Sequence, residues 1–158
     1  MIWLLACGEE PQSTGASAEQ YAGPVGATLW YAPLAEPDGA PRMLRVAEES
    51  WEVRGGEAWE DGAVVATWTR ELPDELLVGD VVLLPPKLYE GASKGAATVE
   101  SEGEWTVWYG TFPQAFELTI GEGDFAGTAV FAEGVGPIQL TLSGEELELT
   151  YYELESYE

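Results

Sequence analysis

The last third of this chain alternates apolar and polar side chains with a period of two, and turns rich in glycine interrupt the alternation at short intervals. Leu147, Leu149 and Tyr151 fall on one side of such a run, with Glu146, Glu148 and Thr150 on the other. A period of two places successive side chains on opposite faces of a strand and cannot build the apolar stripe of a helix. Ala115 to Ile120, Ala126 to Ala132, Ile138 to Leu142 and Leu147 to Leu154 form four such runs, separated by Gly-Glu-Gly-Asp, Glu-Gly-Val-Gly-Pro and Ser-Gly-Glu-Glu. Four short strands joined by glycine turns predict an antiparallel meander with one dry and one wet face. The dry face needs cover.

The same pattern extends upstream. Val25 to Leu34 reads as a first strand, and Met43 to Val53 alternates through Leu44, Val46, Trp51 and Val53, although Ala-Glu-Glu in its middle suits a helical turn. Asp61-Gly62, between Trp59 and Val64-Val65, is the strongest hairpin signal, because both residues tolerate the positive φ of a tight type I′ turn. The strand after it returns through Trp68. Val78 to Leu84, closed by Pro85-Pro86, is apolar enough for a central strand. Gly91 to Ala97 reads as a loop of small residues, and Ser101-Glu-Gly-Glu104 as a hairpin turn between Ala97 to Ser101 and Trp105 to Tyr109. Turns roughly every 8 to 12 residues predict an all-β fold: an antiparallel meander forming a sandwich, a barrel or a partly closed curved sheet.

Charge narrows the partners. The 158 residues hold 29 acidic and 6 basic side chains, a net charge of −23, and no Lys or Arg follows Lys94. Nucleic-acid binding depends on basic side chains that neutralise phosphates, so the charge argues against nucleic acid as a partner and against adsorption of the folded domain to an anionic lipid surface. With 46% hydrophobic residues the chain has the apolar surface to fold as one domain, expected over 21–158 and monomeric. A lone cysteine forms no internal disulfide, and no stretch reaches the roughly 18 apolar residues of a membrane-spanning helix.

That cysteine closes an apolar start, Met-Ile-Trp-Leu-Leu-Ala-Cys. Leu4-Leu5-Ala6-Cys7 resembles a bacterial lipobox, in which a Leu three places before the cysteine and a small residue just before it mark the site for lipoprotein signal peptidase. The resemblance implies a diacylglycerol thioether on Cys7, an acylated amino group after cleavage, and an address in a bacterial envelope. Gly8 stands where inner-membrane lipoproteins often carry Asp, so an outer-membrane lipoprotein facing periplasm or exterior is expected. Residues 1–7 are then a signal remnant. The apolar run is shorter than the roughly 7 to 15 residues of a signal's core and lacks basic residues, which predicts a start upstream of Met1. Residues 8–20, which contain no large apolar side chain, read as a flexible linker. Farther along, Tyr109-Gly-Thr-Phe, Ala115-Phe and Phe131-Ala-Glu-Gly-Val-Gly-Pro-Ile resemble a pattern of uncharacterised secreted β-sheet lipoproteins.

Candidate chemistry is sparse. The chain has no histidine, which removes Ser-His and Cys-His catalysis and histidine-ligated zinc. Paired carboxylates of the glycosidase kind remain, without a spacing that singles out any pair. Gly121-Glu-Gly-Asp124 lacks the alternating oxygen ligands of a calcium loop and reads as a polar turn, and Glu100, Glu102 and Glu104 read as a charged strand edge. No catalytic residue, metal ligand or cofactor is therefore assigned; the site residue is Cys7, as a lipidation site. Of Trp3, Trp30, Trp51, Trp59, Trp68, Trp105 and Trp108, most are expected in the core. Trp105 and Trp108 fall on opposite faces of one strand, so one of them is the candidate for contact with a ligand or partner. The sequence thus reads as a non-enzymatic, lipid-anchored envelope protein whose acidic β domain binds or scaffolds a protein or glycan. A carrier of lipid or another hydrophobic ligand in a half-open sheet is the alternative, and a carboxylate-based glycan hydrolase the third.

Overall fold

The computed structural model describes residues 16–35, 41–47, 50–55, 63–71, 75–78 and 81–154. Cys7, the lipobox, linker residues 8–15 and the Asp61-Gly62 turn lie outside them. In chain order the elements are β1 (Ala16–Ser17), α1 (Ala18–Tyr21), β2 (Ala27–Pro33), β3 (Arg42–Val46), β4 (Ser50–Gly55), β5 (Ala63–Glu71), β6 (Leu76–Val78), β7 (Val81–Leu84), β8 (Lys87–Leu88), β9 (Ser93–Lys94), β10 (Ala97–Thr106), β11 (Thr111–Ile120), β12 (Gly127–Ala132), β13 (Gly136–Leu142) and β14 (Glu145–Leu154). The fold is all-β and antiparallel.

Among the described residues, twelve strands hydrogen-bond in the order β9-β10-β11-β12-β13-β14-β2-β3-β4-β5-β6-β7. Every neighbour is a sequence neighbour except one pair, β14 and β2, which register Leu147 with Pro33 and Leu154 with Ala27. The order is that of an up-and-down barrel cut between β7 and β9. The two ends of the sheet nonetheless approach each other. A Cβ on Gly123 would lie 2.9 Å from Val81 Cγ2, and one on Gly95 would lie 3.1 Å from Val82 Cγ2. Lys94 and Glu75 form an ion pair across the same seam. The sheet is therefore curved almost into closure, with a seam of side chains in place of a ladder.

Alternation carries the core. Leu29, Tyr31, Leu44, Val53, Phe116, Leu118, Ile120, Leu140, Leu147 and Leu149 are buried in one continuous cluster. Inside it, the Tyr31 hydroxyl donates to the Pro137 carbonyl at 2.6 Å. The acceptor sits at a register shift, where Val130 faces Gln139 and Phe131 faces Pro137, leaving Ile138 as the extra residue of a bulge. The β13–β14 turn matches the twist of its strands, because Ser143 and Gly144 both adopt positive φ, 51° and 85°.

Several sequence expectations are corrected. The linker assignment fails at residues 16–20: Ser17 pairs with Lys87, the Ala18 N–H donates to the Pro86 carbonyl, and Ala18 is fully buried. The Ser17 N–H is capped by Gln20 Oε1 at 3.0 Å, so a segment without large apolar groups is held by hydrogen bonds and alanine packing instead. Met43 to Val53 is two strands, β3 and β4, with Val46 opposite Trp51. Ser101-Glu-Gly-Glu104 is no turn: β10 runs straight through it, with register shifts on either side of Ser101–Gly103, and the hairpin turns at 107–110. Val78 to Leu84 is divided between β6 and β7 and lies at an end of the sheet. It is apolar because that end is covered across the seam: Leu76, Val82, Leu83 and Leu84 are buried.

Antiparallel pairing sorts the connections to two ends of the sheet. The proximal end carries α1, the chain entering at Ala16, the 107–110 turn, the 133–135 turn and the end of β14, while the distal end carries 95–96, 121–126 and 143–144. The Gly134 N–H donates to the Gln20 carbonyl, fastening α1 to the 133–135 turn. The approach is close enough to require glycine: a Cβ on Gly136 would lie 3.1 Å from Gly23 Cα, and Gly136 has φ +113°.

Candidate functional site

The β10–β11 hairpin is longer than the strand beside it. β12 pairs with β11 only from Ala115 onward, so the outer part of the hairpin is released from the ladder and bends across its neighbours. Two contacts show where it goes: Trp105 Nε1 donates to Gln139 Oε1 on β13 at 3.3 Å, and the Tyr109 N–H donates to the Leu149 carbonyl on β14 at 3.1 Å. Reciprocal backbone bonds between Val107 and Gly110 close the tip, leaving Trp108 and Tyr109 as its two central residues. Val107 points into the core, and Trp108 stands 76% exposed.

β14 meets this tip at a bulge. Leu149 pairs with Tyr31 and Tyr151 with Trp30, so Thr150 is the extra residue. The alternation predicted to put Leu147, Leu149 and Tyr151 on one face therefore breaks after Leu149: Tyr152 now pairs with Leu29, and Tyr151 turns outward, 51% exposed. The bulge creates an aromatic surface. The Tyr109 ring lies 5.1 Å from that of Tyr152, 6.3 Å from Tyr151 and 6.2 Å from Phe112, the last nearly parallel, and Trp30 lies 5.3 Å from Tyr151. Each ring contact of this kind adds about 0.5–1.5 kcal/mol beyond burial, so the platform is held rigidly although its outer faces meet solvent. Thr106 and Thr111 share a hydroxyl hydrogen bond at its base, 2.9 Å long.

The tryptophan pair resolves as the sequence implied. Trp105 packs half-buried against the core and Trp108 is the exposed member, in the turn rather than the strand. Trp51 is fully buried with its ring edge-on to Phe125, and its Nε1 is, among the described residues, a buried donor without a hydrogen-bond partner. Tyr151 and the bulge beneath it were not legible, because a bulge is one residue of misregister between strands and leaves no mark on either alone.

The acidic candidates do not converge. Glu122 and Asp124 are exposed in the turn after β11, where the Asp124 carbonyl accepts from Ser143 N–H. Glu100, Glu102 and Glu104 are exposed along β10, whose outer edge β9 covers only at Ala97 and Thr98. No group of three potential metal ligands occurs among the described residues. Two tyrosines are perturbed: burial raises Tyr31 well above its usual range, and burial, then the charges of Glu133 and Glu102, raise Tyr21, which stacks edge-on against Phe116. No helix among the described residues is long and apolar enough to cross a membrane. No protein family, no curated protein and no solved structure matches this chain.

Proposed function

We propose that the chain is a non-enzymatic, lipid-anchored protein of a bacterial envelope, attached through Cys7 and displaying its acidic β domain for binding or scaffolding. The observation that carries the reading is the entry of the chain at one end of the sheet. Residues 16–21 are fixed there by pairing to β8 and by bonds to Pro86 and Gly134, leaving eight residues between Cys7 and Ala16. An anchor at Cys7 then holds the proximal end toward the membrane and turns the distal end away from it. Two or three acyl chains give stable attachment where one does not. Metabolic labelling with a clickable fatty acid, on a gene carrying its upstream DNA, is expected to label the protein and to fail in Cys7→Ala; a wild-type protein without label overturns the reading.

The seam favours one second reading, a carrier for an acyl chain. Joined there by Val81, Val82 and two glycines, the sheet could part without breaking a ladder. Saturable binding of a fluorescent fatty acid, lost when Gly95→Cys and Val82→Cys are cross-linked, is the outcome this reading expects; absence of binding removes it.

A further inference from the structure

We propose that the Trp108–Tyr109 turn is a membrane-interface contact that seats the proximal end of the sheet in the headgroup region of a neutral or zwitterionic phospholipid bilayer. The inference goes beyond the tethered-domain reading: its chain-geometry argument rests on that reading, and its test does not require acylation of Cys7.

Exposed apolar side chains are distributed unevenly. Of the six large ones exposed among the described residues, Val25, Trp108, Tyr109 and Tyr151 lie at or beside the proximal end, Tyr89 lies in the 89–92 turn that bonds to Val99, and Leu34 lies at the distal end. Tyrosine and tryptophan, with an apolar body and one polar atom, are the residues that settle at the boundary between headgroups and acyl chains.

Charge is absent where the contact would form. Residues 105–115, Trp-Thr-Val-Trp-Tyr-Gly-Thr-Phe-Pro-Gln-Ala, contain no Asp, Glu, Lys or Arg in a chain where 22% of residues are charged. A cationic peptide partner would call for carboxylates around the rings, and the hairpin tip offers none. The rest of this end is acidic, with Glu19, Glu133 and Glu153 exposed. Contact is therefore shallow, made by the exposed rings of the turn, and anionic lipid opposes it.

Chain geometry points the same way. The polypeptide leading back to Cys7 leaves from Ala16 at this end, and eight intervening residues reach about 30 Å at most. A membrane holding residue 7 lies within reach of the turn. Because reciprocal bonds at Val107 and Gly110 and the bond to Leu149 fix the turn in advance, insertion orders no loop.

The test uses the full chain, unacylated and carrying Cys7→Ser, so that a result reports on the turn and not on the anchor. It is expected to float with phosphatidylcholine vesicles, and its fluorescence is expected to be quenched by bromines near the top of the acyl chains. Trp108→Phe should lose most of that quenching. Trp108→Ala, which removes a side chain 76% exposed, should bind vesicles weaker by on the order of tenfold, the scale set by the apolar area an aromatic ring takes out of water, with its thermal melt unchanged. Phosphatidylglycerol in the vesicles should weaken binding at low salt. Failure to float, or quenching that persists in Trp108→Phe, overturns the proposal. So does a Trp108 emission that responds to soluble neutral oligosaccharides and not to vesicles, which would make the platform a glycan-stacking surface.

Discussion

Replacing Tyr31 by Phe removes one oxygen from the centre of the core and leaves the ring in place. The hydroxyl is the donor to the Pro137 carbonyl at 2.6 Å, and Tyr31 is 1% exposed, so no water takes over. The acceptor lies in the β13 bulge, beside the register shift that separates Val130 from Phe131. Leaving a buried carbonyl unsatisfied costs about 1–3 kcal/mol, and the cavity is smaller than a methyl group, so the hydrogen bond dominates. With a urea slope of about 1–3 kcal/mol per molar for small domains, the unfolding midpoint should fall by roughly 1 M at neutral pH, followed by tryptophan fluorescence. A second readout isolates the same atom. Burial holds the Tyr31 hydroxyl protonated well above its ordinary value of 10.0, whereas in the unfolded chain it ionises near that value. Below pH 10 both states carry the proton and the contribution is complete; above it the unfolded state holds fewer protons, so stability falls by up to about 1.4 kcal/mol per pH unit from this group. Tyr31→Phe should lack that component, keeping a residual decline of the same sign from Tyr21. A neutral-pH loss under about 0.5 kcal/mol, or an alkaline decline identical in the two proteins, would refute the reasoning.

Three further outcomes follow from the packing and the charge. Gly136→Ala forces a Cβ to within 3.1 Å of the Gly23 backbone at φ +113°; it should destabilise by more than about 1 kcal/mol, on the order of a strained backbone, and limited proteolysis should open the chain near Gly23. Trp51→Phe removes the orphaned Nε1 donor together with part of the ring, so relief of the desolvation cost should offset lost packing and leave a net loss below that of Phe131→Ala, about 3–5 kcal/mol; chemical denaturation measures both. A net charge of −23 destabilises the compact state by self-repulsion, so the melting temperature should rise as salt is increased to about 0.5 M, where screening acts within about 4 Å, and a flat response would show that the acids are already compensated.

The four-strand meander was legible because both of its signals are local: alternation fixes which residues face inward, and glycine with serine or aspartate fixes the turns. Local signals of this kind do not reach across strands, and there the sequence reading erred. Glycine at 103 marks a bulge within β10 instead of the tip of a hairpin, since both bulges and turns accept its positive φ. Val78 to Leu84 reads as central because its side chains are apolar, yet the burial of Val82, Leu83 and Leu84 comes from meeting the opposite end of the sheet across a seam that no local pattern encodes. Residues 16–20 read as linker because small and polar side chains can be tied down only by partners distant in sequence, Lys87, Pro86 and Gly134. The aromatic surface was half legible: one of Trp105 and Trp108 had to be exposed, but Tyr151 joins the platform only through the extra residue at Thr150.

The anchor is tested most directly by intact mass measurement of the protein purified from bacterial membranes, expressed with the DNA upstream of Met1. The account predicts a mature chain that begins at Cys7 and carries the mass of a diacylglycerol thioether with an acylated amino group, in the membrane fraction. A chain retaining residues 1–6 with an unmodified Cys7, found in the soluble fraction, would contradict it.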